Sequence, residues 1–128
     1  MNKLLKIITV LTVLLSIISP INTIKAQEED DNTFVVGMEC NYTPFNWTQV
    51  NETETTVALE GGGYADGYDV TIARAIAKYL GKELVIKKMS WDGLEPALQA
   101  GVIDAVIAGM TDTADRRQRV DFTQPYYE

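Results

Sequence analysis

A short segment after residue 108 holds the side chains best suited to binding a small anion. Gly109 lets a ligand approach the backbone closely, and Thr111 and Thr113 supply hydroxyl groups. Arg116 completes a set that spans eight residues. If a helix begins at Thr113, its free amide groups and its dipole favour an anion, which a guanidinium can bind with two parallel hydrogen bonds. The pattern predicts a carboxylate-binding nest, but a Thr113 that only caps a helix, beside a solvated Arg116, has the same spacing.

Aromatic and acidic residues near two other expected strand ends are candidates for the walls of the same cleft. Tyr42 and Trp91 could stack on a ligand, although residues of this kind lie in the hydrophobic core more often. For Phe45 the core is our preferred interpretation. Glu39, just beyond the first expected strand, could accept a hydrogen bond from an ammonium group or could be exposed to solvent.

The composition excludes several kinds of chemistry. The chain of 128 residues has no histidine and one cysteine, Cys40, which rules out histidine triads, histidine metal sites, an internal disulfide and Cys-rich zinc sites. No nucleophile motif or metal-ligand spacing is present, so we expect no catalytic residue, no metal and no cofactor. Three of the 11 basic residues and none of the 18 acidic ones precede residue 27. The remainder is strongly acidic, so we expect no nucleic-acid partner.

The first 26 residues have the order of a secretory signal peptide: a basic start, an apolar run over residues 7–19, Pro20, and a small residue at Ala26. The apolar run is shorter than the ~20 residues that a transmembrane helix needs. An uncleaved N-terminal anchor is the alternative. Residues 27–32 read as an acidic leader, and we expect export to the periplasm or to the outer face of the cell membrane.

The rest of the chain predicts an α/β fold. Apolar runs indicate strands over residues 33–38, 83–89 and 102–108, and helical spacing follows in the intervals. The first helix has Asp69 as its expected N-cap and Gly81 as its stop, and a capping-box-like Asp92 and Glu95 open the second, with Pro96 in its first turn. A third helix is expected from Thr113 to residue 119, and residues 51–67 read as a long hairpin connection or surface loop. Strands that alternate with helices are typical of a parallel sheet flanked by helices.

Loose motifs occur in a specific order along nearly all of residues 33–128. They are Val36-Gly37-Met-Glu-Cys-Asn-Tyr-Thr-Pro44-Phe45, Gly67-Tyr-Asp69, Ser90-Trp-Asp-Gly-Leu-Glu-Pro-Ala-Leu98, Gly101-Val-Ile-Asp104, Ala108-Gly-Met-Thr111, Arg116 and Asp121-Phe-Thr-Gln-Pro-Tyr-Tyr127. In this order they resemble the polar amino-acid solute-binding proteins of ATP-driven importers, family 3. The resemblance implies a periplasmic-binding-protein-like type II fold with two lobes, of which residues 33–128 correspond to the first. We therefore expect a fragment, truncated where the family's chain crosses to the second lobe.

The resemblance also implies roles for individual residues. Arg116 and the amide of Thr111 match the groups that bind the ligand's α-carboxylate. Gly109, with Ala108 beside it, matches the residue whose carbonyl accepts from the α-ammonium group. The ligand's side chain is then expected between Tyr42 and Trp91, with Glu39 facing it.

The implied function is extracytoplasmic capture of a free polar amino acid and its delivery to the membrane permease of an ABC importer. Two alternatives stay open: an exported dehydratase-like enzyme on the same fold, for which Glu39 is the candidate acid or base, and the sensing domain of a receptor. A single lobe leaves the ligand exposed to water, so we expect weak binding or none from this chain by itself.

Overall fold

The computed structural model describes residues 32–127, so the predicted signal peptide and nearly all of the acidic leader lie outside the described residues. The elements in chain order are strands β1 (Thr33–Met38), β2 (Asn41–Tyr42), β3 (Asn46–Gln49), β4 (Val57–Ala58) and β5 (Tyr64–Asp66), helix α1 (Tyr68–Leu80), strand β6 (Glu83–Lys88), helix α2 (Trp91–Gln99), strand β7 (Ala105–Val106) and a 3₁₀ turn at Arg116–Gln118.

A parallel sheet in the order β6-β1-β7 forms the centre of the fold. Strand β1 pairs along its whole length with β6, from Thr33 opposite Glu83 to Met38 opposite Lys88. Helix α1 packs on β6 and β1, and α2 packs on β1 and β7. Val36 and Met38 are fully buried between these layers. The predicted α/β class, with a parallel sheet flanked by helices, is confirmed.

Helix α1 ends where the sequence predicts but begins differently. Val70, Ala73 and Ala77 form its buried face, and Gly81 stops it in a left-handed conformation with φ 69°. The expected N-cap at Asp69 is wrong, because Gly67 occupies the cap position and Asp69 lies fully buried inside the first turn. Its carboxyl group points to tertiary partners and does not cap the helix.

Helix α2 also ends as predicted, before Gly101, but the predicted capping box is wrong. Ser90 is the N-cap residue and no side chain caps the helix. Because the helix begins at Trp91, Asp92 and Glu95 lie inside it and cannot cap it, and Glu95 accepts from Arg119 at 2.9 Å. Pro96 was expected in the first turn, but it lies further along, in the interior of the helix.

Two elements near the candidate site are shorter than predicted. Only Ala105 and Val106 of the expected strand 102–108 pair with β1, and the expected helix over residues 113–119 is a three-residue 3₁₀ turn. The hydroxyl of Thr113 still accepts from the Arg116 amide at 3.2 Å, as a capping residue does. Residues 105–120 are therefore mostly irregular backbone, held by both backbone and side-chain hydrogen bonds.

Residues 41–66 form a second, antiparallel sheet in the order β2-β3-β5-β4. The interval 51–67, expected as hairpin connection or loop, contains β4 and β5. Strand β2 carries Tyr42 and pairs with β3, which fixes this aromatic residue beside the end of the parallel sheet. Within residues 32–127, no helix has the length and apolarity needed to cross a membrane.

Candidate functional site

The candidate site lies at the carboxyl ends of β1 and β7, the position where open parallel sheets present ligand-binding loops. The chain leaves β1 at Glu39, which is half-buried, and leaves β7 shortly before Ala108, which is buried. Gly109 and Thr111 follow and are exposed. The irregular backbone after β7 thus brings its polar groups to the surface directly above the sheet.

Arg116 is held over this surface by three contacts. Its Nη1 donates to the Thr111 carbonyl at 2.7 Å, and its guanidinium carbon lies 5.5 Å from the centre of the Trp91 ring. Its Nε lies 3.7 Å from a Glu95 carboxylate oxygen. A guanidinium has five N–H groups, so these contacts orient it and leave donors available.

The neighbouring arginines are occupied in a different way. Arg117 donates through two nitrogens to Asp112, whose pKa this hydrogen bonding lowers. Arg119 donates to both Glu95 and Asp115, each at 2.9 Å. Arg116 is the arginine of this turn whose carboxylate contact is long and shared with another arginine. It is consequently the one best placed to pair with an external anion.

Tyr42 and Gly109 meet on the other side of the site. Gly109 has φ 62°, and a Cβ built on it would lie 3.1 Å from Tyr42 Cε1, so glycine suits both the conformation and the contact. Tyr42 stacks on Phe45 with ring centres 5.1 Å apart, yet 49% of its surface is exposed. Phe45 is half-buried and belongs to an aromatic cluster with Tyr68 and Tyr127.

A chain of hydrogen bonds, here called the relay, runs from the buried Cys40 amide to the exposed Gly109 amide. The Cys40 amide donates to Asn46, and Asn46 donates to Asp69 at 2.7 Å. The Tyr126 hydroxyl donates to the other Asp69 oxygen at 2.7 Å and accepts from the Gly109 amide at 3.2 Å. Asn46 and Asp69 are fully buried, and all their described side-chain polar atoms are satisfied. The pKa of Tyr126 is raised above its usual range, mainly by burial and secondly by the hydrogen bond to Asp69.

In the structure, most of the predicted site residues fall into two groups whose members contact one another. Tyr42 contacts the Gly109 position, and Thr111, Arg116 and Trp91 form the second group. Ala108 links them through the backbone, whereas Glu39 lies at the end of β1 with no bond to either group among the described contacts.

Sequence reasoning missed Asn46, Asp69 and Tyr126 as parts of the site. The helix pattern predicts only a capping role for Asp69. Tyr126 lies in the 121–127 motif, which assigns it no role, and Asn46 lies in none of the motifs. The available signal was chemical: a buried carboxyl group requires hydrogen-bond donors, and an asparagine and a tyrosine can supply them.

A groove of about 390 Å³ lies elsewhere, between α1 and strands β4 and β6. It is lined by Val57, Arg74, Ala75, Ala77, Lys78, Lys82 and Leu84, none of which belongs to the candidate site. At the candidate site Tyr42 and Thr111 are exposed to solvent.

Residues 34–128 match the family of bacterial extracellular solute-binding proteins, family 3, and the chain belongs to that family. A curated relative is the probable histidine-binding protein of Campylobacter jejuni, which is 41% identical over 95 residues. The match covers 74% of this chain and 32% of that protein. The chain spans about a third or less of the length of the curated relatives it matches.

Two solved structures extend the comparison. One is the arginine-bound form of domain 1 from TmArgBP, with a TM-score of 0.62 and 38% identity over 75% of this chain and 68% of that one. The other is the ancestral amino-acid-binding protein AncCDT-1, a precursor of cyclohexadienyl dehydratase, with a TM-score of 0.64 and 38% identity over 75% of this chain and 37% of that one. These likenesses bear out the predicted periplasmic-binding-protein-like fold.

Proposed function

We propose that this chain is the part of an extracytoplasmic solute-binding protein that captures a free polar amino acid, which an ABC importer then receives through its membrane permease. The observation that carries the proposal is the placement of Arg116. Its guanidinium is oriented by Thr111 and Trp91, and its contact with Glu95 is long.

The ligand's α-carboxylate pairs with Arg116 in this proposal, with the Thr111 amide as a second donor. A carboxylate and a guanidinium form parallel, charge-assisted hydrogen bonds, which give direction as well as affinity. The two neighbouring arginines are already bonded to Asp112, Asp115 and Glu95. Specific recognition of one carboxylate by this turn therefore falls to Arg116.

The ligand's α-ammonium group is assigned to the carbonyls of Ala108 and Gly109, and its side chain to the surface of Tyr42 and Trp91 with Glu39 nearby. Aromatic faces attract cationic groups, and an acidic residue adds to that attraction. One relative is named a probable histidine-binding protein, and the domain 1 structure holds arginine. We therefore propose a cationic or otherwise polar side chain for the ligand.

A single lobe was expected to bind weakly or not at all, but the domain 1 structure argues for measurable binding. In that relative one domain by itself holds arginine. Arg116 in this chain is partly shielded, with 23% of its side chain exposed, so its attraction is stronger than that of a fully solvated pair. We propose binding by the chain alone, weaker than in a protein that closes a second lobe over the ligand.

Titration of the purified chain with free amino acids tests the proposal. Calorimetry or NMR should show saturable binding of L-arginine or L-histidine. Agmatine, which is arginine without its carboxylate, should bind at least about tenfold more weakly, because bonds to charged groups contribute ~1.5–3 kcal/mol. Equal binding of agmatine, or no saturable binding of any common amino acid, would contradict the proposal.

An enzymatic role is the second candidate, because AncCDT-1 is named as a precursor of a dehydratase. Among the seven predicted site residues Glu39 alone carries a carboxyl group that could act as an acid or base. Incubation of the chain with a cyclohexadienyl acid, followed by ultraviolet absorbance of an aromatic product, separates the two functions. Turnover that is lost in Glu39→Gln would favour the enzyme.

A further inference from the structure

We propose that the Tyr126 hydroxyl is a positioning group, which holds the Ala108–Gly109 peptide from the buried Asp69 and thereby sets recognition of the ligand's α-ammonium group. This inference rests on the proposed function. It gives a role to Tyr126 and Asp69, which are not among the predicted site residues, and it gives the relay a function at the site.

The relay fixes one peptide plane of the site. The Gly109 N–H donates to Tyr126, and in a trans peptide the preceding carbonyl points the opposite way. The orientation of the Ala108 carbonyl is therefore set by the Tyr126 hydroxyl. Gly109 follows with φ 62°, a conformation that glycine adopts without strain, so the pinned plane also limits where its own carbonyl points.

Tyr126 is itself held at both ends. Its hydroxyl donates to Asp69 at 2.7 Å, and its backbone carbonyl accepts from the Tyr68 hydroxyl at 3.0 Å. Asp69 cannot shift readily, since its second oxygen accepts from Asn46 and both residues are fully buried. A side chain fixed in this way holds the exposed backbone at Gly109 in a set position relative to the core.

The charges in the relay also suit a cationic ligand group. A free N–H beside an ammonium group presents positive charge to positive charge, whereas an N–H that is bonded inward leaves mainly carbonyl oxygens at the surface. Asp69 accepts through both oxygens, as a carboxylate does, and it lies out of contact with water. Its hydrogen bonds polarise Tyr126 and strengthen the next bond in the chain.

The test compares Tyr126→Phe with Tyr127→Phe in the full chain. Each variant loses one hydroxyl from adjacent rings, but Tyr127 is 64% exposed and its ring packs edge-on against Phe45. The ligands are L-arginine and 5-guanidinopentanoate, which is arginine without its α-ammonium group. We expect the preference for L-arginine to fall about three- to tenfold in Tyr126→Phe and to be unchanged in Tyr127→Phe.

If Tyr126 only stabilised the fold, its loss would give a different result. A loosened fold would weaken the binding of both ligands equally and leave the ratio of their affinities unchanged. That outcome would overturn the proposal. Amide hydrogen exchange at Gly109 supplies a readout without ligand: it should accelerate in Tyr126→Phe only, and unchanged exchange would also overturn it. If the wild-type chain binds no amino acid, the proposed function fails first, whatever the exchange at Gly109 shows, and the positioning role falls with it.

Discussion

Arg116 and Gly109 border the same surface, yet they are held in different ways. Around Arg116 the contacts are between exposed or half-buried charges: Glu95 lies 3.7 Å away, and neighbouring arginines bind carboxylates at the surface. On the Gly109 side, the hydrogen bonds of the relay link the Gly109 amide through the Tyr126 hydroxyl to Asp69, which is completely buried. One side of the site is a set of adjustable charges and the other is a fixed network.

The difference predicts how much each side contributes to stability in addition to binding. Exposed ion pairs contribute little to stability and can rearrange when a ligand arrives. A buried hydrogen-bond network is costly to break, because each unmatched group stays away from water. Damage to the Arg116 side should therefore reduce binding with little loss of stability, whereas damage to the relay should reduce stability as well as ligand discrimination.

The largest expected effect on stability comes from Asp69→Ala. This substitution leaves Asn46 and the Tyr126 hydroxyl without their shared acceptor, and each buried unsatisfied group costs ~1–3 kcal/mol. We expect the free energy of unfolding to fall by about 2–5 kcal/mol in urea denaturation. Asp112→Ala, which removes the half-buried partner of the exposed Arg117, is the control and should change stability little. Equal losses in the two variants would remove the distinction between the sides.

A smaller effect is expected from Trp91→Ala, now measured on binding. The ring supports the guanidinium of Arg116 at 5.5 Å, and a cation–π contact contributes ~0.5–1 kcal/mol at such a site. Affinity for L-arginine should fall roughly two- to fivefold by this route, and further if the ring also contacts the ligand. Trp91→Phe should retain most of the affinity.

Circular dichroism is the control for that variant. Trp91 is half-buried against the core, so some loss of stability is expected, but an unfolded Trp91→Ala would make the residue structural and would contradict its place in the site. In a Trp47→Phe background Trp91 is the remaining tryptophan of the two in the chain. Its fluorescence should then respond to ligand.

The smallest expected effect is on the reactivity of the Cys40 thiol; the amide of the same residue is the first donor of the relay. Burial raises the pKa of its thiol to about 11, and the charge of Lys88 only partly opposes this. The thiolate is the reactive form, so alkylation at pH 8 should be much slower in the native chain than in urea. Because the folded pKa is the higher one, the thiol favours the folded state below about pH 9 and loses that contribution as the pH approaches 11. Similar rates in both states would show that this end of the relay is open to solvent.

Local patterns predicted the elements that depend on local properties. The apolar run of β1, the 3.6-residue spacing of α1 and its stop at Gly81 all agree with the structure. Each follows from burial and backbone preference within a few residues. The α/β class follows from the order of these elements.

Features that depend on distant partners were missed or misassigned. Glu95 has the spacing of a capping residue, but Arg119 lies across from it in the fold and binds it instead. Asp69 is a second example. It has the position expected of a capping residue, but Asn46 and Tyr126, 23 and 57 residues away in the chain, bind its carboxyl group instead. The elements at 105–106 and 116–118 are shorter than the predicted strand and helix. Contacts such as that of Arg116 with the Thr111 carbonyl form only in the folded chain, so local patterns do not show them.

The central claim is that Arg116 binds the α-carboxylate of a free amino acid, and four titrations test it most directly. L-arginine and agmatine are titrated into Arg116→Ala and into Arg117→Ala, a control that removes the adjacent arginine bonded to Asp112. If the claim holds, Arg116→Ala weakens L-arginine binding at least about tenfold and leaves agmatine binding unchanged, while Arg117→Ala changes neither. An equal loss for both ligands in Arg116→Ala, or an unchanged affinity for L-arginine, would contradict it.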